Sequence, residues 1–433
     1  MAGPELDGGV VEVTGDRITH VGSSPSAAPA REMLDATDRV VVPGFVNAHC
    51  HLSQQLGRGL ADDVDLVTWL HDRIWPYEQA LTPDDVEVSA LACAIEQIRS
   101  GTTLVADPGG QHVDAAARAI ERSGIRAVLA RSTMDEGEGL PPGWADDTGD
   151  ALAVQHELVD RWHGAADGRL RASYCLRTIF NCSDDLITGS VAAARERGVI
   201  VQMHVAEIPA ENDHVRATRG TSTVRHLDRL GALGPHLLGA HCVWIDDDEV
   251  QLLARSGTGI AHCVGSNLRI LGIPRIADLV DAGATVGIGT DGAPSNNRMS
   301  VIDEMWAAGM VQQGLRLDPT ALPARRVLRM ATLDGARAVG WGDELGSIEV
   351  GKRADLVVVD PLTPNMATAH DLVAALVTSM TSANVESVLC AGRWVLRDRI
   401  VTSVDERAVL VEARDRARGV AARAGIRTDQ GVP

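Results

Sequence analysis

Short apolar runs that end in polar residues alternate with helical stretches through the middle of this 433-residue chain, and that alternation limits its fold more than any other feature. The runs lie at 41–48, 102–106, 125–131, 170–175, 199–204, 238–241, 258–262 and 285–290. Periodic segments stand between them, among them 83–100, 113–123, 184–197, 247–255 and 276–282. Continuous apolar strands separated by helices imply a parallel sheet covered on both faces. Eight such units over about 250 residues point to an α/β fold, a (β/α)8 barrel of the TIM type, with an open doubly wound sheet as the alternative.

The two ends read differently. VVEVTGDRITHV at 10–21, SIEVGKRADLVVVD at 347–360 and VESVLCAGRWVLRDRIV at 385–401 are β-rich, with Gly at the turns. Residues 1–43 and 346–433 are therefore expected to pair into one small β-sandwich flanking a catalytic barrel over 44–345. The stretch 405–424 reads as a surface helix.

The strand candidates end in residues that bind metals. The first runs into Asn47-Ala48-His49-Cys50-His51, the fifth into His204-Val205-Ala206-Glu207, the sixth into His241, the seventh into His262 and the eighth into Asp291. In a barrel the C-terminal ends of the strands meet on one face. Any one of these histidines alone reads as a structural residue; in register at successive strand ends they read as a site. Residues two apart on a strand point the same way, so His49 and His51 can share an ion. His112, His156, His163, His214, His226, His236 and His370 fall on helices or loops and carry no such signal.

One composition detail sharpens the metal count. Of 40 basic residues, Lys352 is the single lysine, and it lies in the terminal β region. A two-metal barrel site bridged by a carboxylated lysine is therefore excluded. The expected site holds one divalent ion between His49, His51, His204 and Asp291, with water in the open position; a set of three His and one Asp suits zinc or iron. The net charge of −19 argues against a nucleic-acid partner. No 18-residue apolar span suits a membrane, and the first residues have no leader pattern. Seven scattered cysteines without a C-x-x-C fit reduced thiols, so a cytoplasmic protein is expected. A small-molecule substrate follows; the sequence leaves a homo-oligomer open.

PGFVNAHCH, HVAE, GAHCVW, HCVGSNLRI and GIGTDGAPSNN together resemble the amidohydrolase superfamily, and most closely its deaminase and triazine-hydrolase branch. GSIEVGKRADLVVVD is similar to the C-terminal signature of that branch, so the resemblance spans about residues 10–403. That branch ordinarily has a further strand pair before VEVTGDRITHVG, which implies a sandwich trimmed at this end or a start upstream of Met1. The resemblance implies hydrolytic deamination. Asp291, on the metal, takes a proton from the water; Glu207 protonates the ring nitrogen beside the attacked carbon and helps the leaving group depart; His241 bonds the water or the developing alkoxide. His262 either contacts substrate or packs the end of its strand.

The loop LSQQLGRGLADDVDLVTWLHDRIWPYEQALT resembles that of S-adenosylhomocysteine and methylthioadenosine deaminases. The likeness implies that Trp69 lies against the nucleoside, that Glu78 accepts both ribose hydroxyls, and that Arg131 faces the substrate. In CLRTIFNCS, Arg177 stands where that group has a His, a placement similar to guanine deaminases, and EGEGLPPGWADDTGD at 136–150 has no Arg to hold an amino-acid carboxylate. An adenosine-type nucleoside is the first expectation. A guanine-like base, a pterin or an s-triazine, including dechlorination, is the second. A catalytically dead binding protein of the same fold is the third, opposed by the complete set His49, His51, His204, His241, Asp291 and Glu207.

Overall fold

The computed structural model describes residues 5–26, 29–137 and 139–427, and the backbone alone at Val67. Residues 1–4, 27–28 and 428–433 of the expected terminal unit, and Glu138 of the loop 136–150, lie outside the described residues.

β1 (Val10–Thr14) and β2 (Arg17–Gly22) form an antiparallel hairpin. β3 (Val40–Pro43) follows, then β4 (Phe45–Asn47), β5 (Thr102–Asp107), β6 (Arg126–Leu129) and β7 (Leu170–Ala172), and these last four make one parallel sheet in chain order. β8 (Tyr174–Leu176), β9 (Val201–Val205), β10 (Leu237–His241), β11 (Gly259–His262) and β12 (Thr285–Ile288) make a second parallel sheet, also in chain order. β13 (Leu356–Val359), β14 (Val385–Cys390), β15 (Arg393–Arg397) and β16 (Ile400–Val401) form an antiparallel sheet that β3 completes beside β13. The protein is thus α/β with parallel sheets at its centre.

Two of the expected strands are each divided. The run 41–48 is cut at Gly44, so that β3 joins the antiparallel terminal sheet and β4 the parallel one. The cause is a close approach: a Cβ on Gly44 would lie 2.2 Å from Thr103 Oγ1. The run 170–175 is cut at Ser173, whose N–H donates to the Leu129 carbonyl (2.8 Å) while its hydroxyl accepts from Gln202 Nε2 (2.9 Å). One residue therefore bonds towards both parallel sheets. At their far edges, Ala48 N–H donates to the Ile288 carbonyl (2.7 Å) and Thr290 N–H to the His49 carbonyl (3.0 Å). Val46 and Ala48, Leu104 and Ala106 of β5, Val128 of β6, Leu238 and Ala240 of β10 and Ala261 of β11 share one buried cluster.

The helices follow from local signals. Asp247–Ser256 starts in a capping box in which Asp246 and Glu249 each accept the other's backbone N–H, and it stops at Gly257 with φ of 76°. Pro83–Arg99 starts in the same way at Thr82 and Asp85. The C-terminal helix runs Glu406–Arg423 and is tied by Arg416 and Arg423 to Asp85. Ile18 of the hairpin packs with Ala354, Leu356 and Leu389 of the terminal strands. Among the described residues no helix is long and apolar enough to cross a membrane.

Candidate active site

The backbone leaves β4 through Ala48 and brings His49 and His51 to the same side, as their spacing predicts. The His49 ring centroid lies 4.9 Å from His51, 5.0 Å from His204 and 5.4 Å from His241. Asp291 Oδ1 stands 3.5 Å from His49 Nε2 and 3.3 Å from His51 Nε2. Ligand atoms of His49, His51 and Asp291 lie within 4.8 Å of one another, and so do those of His49, His204 and His241. His49 belongs to both groups, so His241 also comes within metal-ligand reach.

Second bonds orient these ligands. His204 Nδ1 donates to the Arg177 carbonyl (2.7 Å), and His241 Nδ1 donates to Asn267 Oδ1 (2.9 Å), which leaves each Nε2 as a lone-pair donor. Ser295 donates to Asp291 Oδ2 (2.9 Å). Asn47 bonds both the hydroxyl and the N–H of Thr290, fixing the approach to Asp291.

The charge states suit a divalent cation. Burial lowers His49 to about 4 and holds His204 well below its ordinary value, so both are neutral imidazoles. Burial alone would raise Asp291, but the imidazoles of His49 and His51 beside it keep it well below the usual carboxylate range. His51 is opposed by burial and raised on balance by Asp291; a bound cation would displace its proton. Among the described residues, the buried Nε2 atoms of His49 and His241 have no hydrogen-bond partner. The neutral imidazoles of His49 and His204, the Asp291 carboxylate and two orphaned nitrogens, in two groups that share His49, fit a divalent metal ion.

Glu207 follows β9 and is turned back over this cluster, its Oε1 3.8 Å from His241 Nε2. Burial raises its pKa, although its side chain keeps 20% of its exposure. The turn rests on Ala206, at φ of 49°, and on a residue the sequence did not single out. Glu211 accepts from Ala206 N–H (2.8 Å) and from Glu207 N–H (2.9 Å), and burial pushes its pKa up to about 7. A Glu in the first turn of a helix, Pro209–Arg219, two residues after a proline is the only signal that could have found it.

Glu78 and Arg177 meet beside the cluster. Glu78 accepts from Gln54 Nε2 (2.8 Å) and pairs with Arg177 Nη1 (3.4 Å). Trp69 is buried with Ala61 and Ile74, its indole N–H 3.5 Å from the Pro294 carbonyl, so it lies against the segment after Asp291. Two other expected residues stand apart. Arg131 turns to Asp146 (3.5 Å). His262 belongs to neither ligand group; burial pushes it down to about 3, and neither ring nitrogen has a partner. Lys352 is bonded to the Gly342 and Leu345 carbonyls.

Known proteins share this arrangement of sheets. A solved structure described as an adenosine deaminase from Xanthomonas campestris with bound zinc superposes with a TM-score of 0.89, at 32% identity over 96% of this chain and 94% of that one. Zinc-complexed atrazine chlorohydrolase TrzN from Arthrobacter aurescens TC1 gives 0.88, at 25% identity over 95% and 96%. A 5-methylthioadenosine/S-adenosylhomocysteine deaminase of Desulforamulus reducens is 37% identical over 96% of each chain. A 5'-deoxyadenosine deaminase of Methanothermobacter thermautotrophicus is 36% identical over 95% of this chain and 96% of its own. The family model described as the amidohydrolase family matches residues 40–395, and the chain belongs to that family.

Proposed function

We propose that this protein is a hydrolytic deaminase of adenosine-type nucleosides, working with one zinc ion held by His49, His51, His204 and Asp291. The observation that carries the reading is the place of Glu207, whose pKa burial raises and whose carboxyl is held beside His241 at the metal-fitting cluster. The relatives named as adenosine-type deaminases support the substrate class, and the zinc-bound neighbours support the metal.

His49, His51, His204 and Asp291 would hold a divalent ion there, which would lower the pKa of a water molecule towards neutrality. Asp291 takes one proton from that water as its oxygen bonds to the amino-bearing ring carbon. Glu207 delivers a proton to the adjacent ring nitrogen. His241, whose bond to Asn267 keeps its proton on Nδ1, would offer its Nε2 lone pair to the water. The proton on Asp291 passes to the amino group, the carbon–nitrogen bond breaks and ammonia leaves. The hydroxyl proton restores Glu207, and the ring keeps a carbonyl. On this reading Glu78 accepts the ribose hydroxyls, Arg177 braces it from the ring side, and Trp69 walls the pocket.

We also read the two parallel sheets as one closed (β/α)8 barrel, supported by the Ser173 bonds at one seam and the Ala48 and Thr290 bonds at the other. The terminal hairpin and antiparallel sheet read as a small sandwich around Ile18 and Leu356. Residues 1–43 with 346–433 would then form the outer unit and 44–345 the barrel.

The test is ammonia release from adenosine, 5′-deoxyadenosine, adenine, guanine, a pterin and an s-triazine, with metal content measured on the same sample. Turnover of the ribosides with about one zinc per chain is expected. Turnover confined to free bases, pterins or triazines overturns the nucleoside assignment. Near two metals per chain overturns the single-ion site.

A further inference from the structure

Gln54 lies buried in the short turn Leu52–Gly57 that follows His51, and its N–H donates to the His51 carbonyl (3.2 Å). The turn is pinned from outside. Ser89 Oγ donates to the Leu52 carbonyl (2.9 Å) and the Tyr77 hydroxyl to the Ser53 carbonyl (2.9 Å). Tyr77 precedes Glu78 on the helix Trp75–Ala80, so turn and helix are locked together beside the point where Gln54 and Glu78 meet.

Across this joint Gln54 Nε2 donates to Glu78 Oε1 (2.8 Å). A carboxylate only accepts, which fixes the amide: its NH2 faces Glu78 and its oxygen turns away. Among the described residues that oxygen, Gln54 Oε1, is buried without a hydrogen-bond partner. It lies against Gly292, the residue after Asp291, where a Cβ would come within 1.9 Å of it. Gly292 has φ of −87° and ψ of 155°, a conformation open to any residue, so the backbone does not call for glycine. The space taken by the Gln54 amide does. A buried acceptor without a donor is costly, and a hydrocarbon side chain of the same length would avoid the cost. What the amide supplies in return is its bond to Glu78.

Arg177 Nη1 approaches the other oxygen of the same carboxylate, at 3.4 Å. A closed guanidinium–carboxylate pair is shorter, about 2.7–2.9 Å. Glu78 therefore stands between two donors, fully bonded to the neutral one and only part-way to the charged one. With Gln54 removed, nothing opposes the stronger attraction. Glu78 would then close on Arg177 and turn to it the lone pairs that a sugar needs.

We propose that Gln54 is a positioning residue for sugar recognition: it holds Glu78 short of Arg177 and open to a vicinal diol, and Gly292 makes room for it. The inference rests on the nucleoside reading, with Glu78 at the ribose hydroxyls.

The experiment reads KM and kcat of the metal-loaded full chain on adenosine and on 2′,3′-dideoxyadenosine, with the metal content of each variant measured. Gln54→Met keeps the length and loses the bond. It should raise KM for adenosine by about tenfold with kcat within about twofold. Both constants for the dideoxy compound, and the metal content, should stay as they were. Gly292→Ala drives a methyl group into the amide and should give the same adenosine-selective rise. In a Gln54→Ala background it should add nothing further. A merely structural role would move both substrates together. The proposal is overturned if Gln54→Met leaves KM for adenosine in place or shifts both substrates alike. A Gly292→Ala effect that persists in full beside Gln54→Ala also overturns it. If the unaltered enzyme treats the two substrates alike, or deaminates neither, the placing of ribose at Glu78 has itself failed and takes this inference with it.

Discussion

Several residues beside the cluster sit where L-residues rarely do. Ala206 has φ of 49°, His241 of 74°, Cys242 of 46° and Asp291 of 61°. Such backbone costs on the order of 1–3 kcal/mol per residue and persists where neighbours hold it. At Ala206 the holder is Glu211, through two backbone N–H groups. Glu207→Gln should keep the metal and lower kcat by about 10²–10⁴, measured by steady-state kinetics with metal analysis. Glu211→Gln turns an amide NH2 towards one of those N–H groups and should lower kcat by roughly 10–100-fold with little change in KM. In a Glu207→Gln background it should add almost nothing, because both act through one carboxyl. A full additive loss would show that Glu211 works by another route.

At the scale of elements, the clustered His and Asp residues were legible because strand ends are short and ordered in the chain: NAHCH, HVAE and TDG lie at or just past the ends of strands. What holds them was not legible. Glu304, on the helix Val301–Arg316, bonds Gly265 N–H (2.9 Å) and Asn296 Nδ2 (2.8 Å), and Asn296 in turn bonds the Thr290 carbonyl (2.8 Å). From sequence it is one more acid on a helix. Burial pushes Glu304 from the usual 4.5 up to about 7. Between those values the folded chain holds a proton that the unfolded chain has lost, so this residue's contribution to stability falls as pH rises from about 4.5 to 7 and is level above. The full span is on the order of 3 kcal/mol. Glu304→Gln should therefore flatten the decline in Tm between pH 5 and 7 in thermal melts across buffers. An unchanged slope would assign that decline to other groups.

In the whole molecule, the parallel core and the terminal sheet are joined by a pair hidden in an arginine-rich composition. Arg126 on β6 is fully buried and makes two 2.9 Å bonds to Asp355, just before β13. In GIRAVLAR it reads as an ordinary strand-end cation, and only the fold brings its partner 229 residues away. Arg126→Met leaves the buried Asp355 charge without its counter-ion, and should cost about 3–5 kcal/mol in denaturant unfolding. Arg126→Met with Asp355→Leu should recover part of that loss. A double variant less stable than the single would mean that Asp355 is needed mainly for its bond to Ala391 N–H (2.9 Å).

The cut at Gly44 has a mechanical side. β3 is clamped to β13, β4 to β5, and the Gly44 N–H itself donates to the Asp355 carbonyl (2.9 Å). His49 thus follows the last residue of β3, Pro43, by six residues and His51 by eight. Any loosening of that outer sheet would reach His49 and His51 through this short connection. Strands grafted there from a relative would register first as a faster rate of metal escape, before any loss of helix or strand.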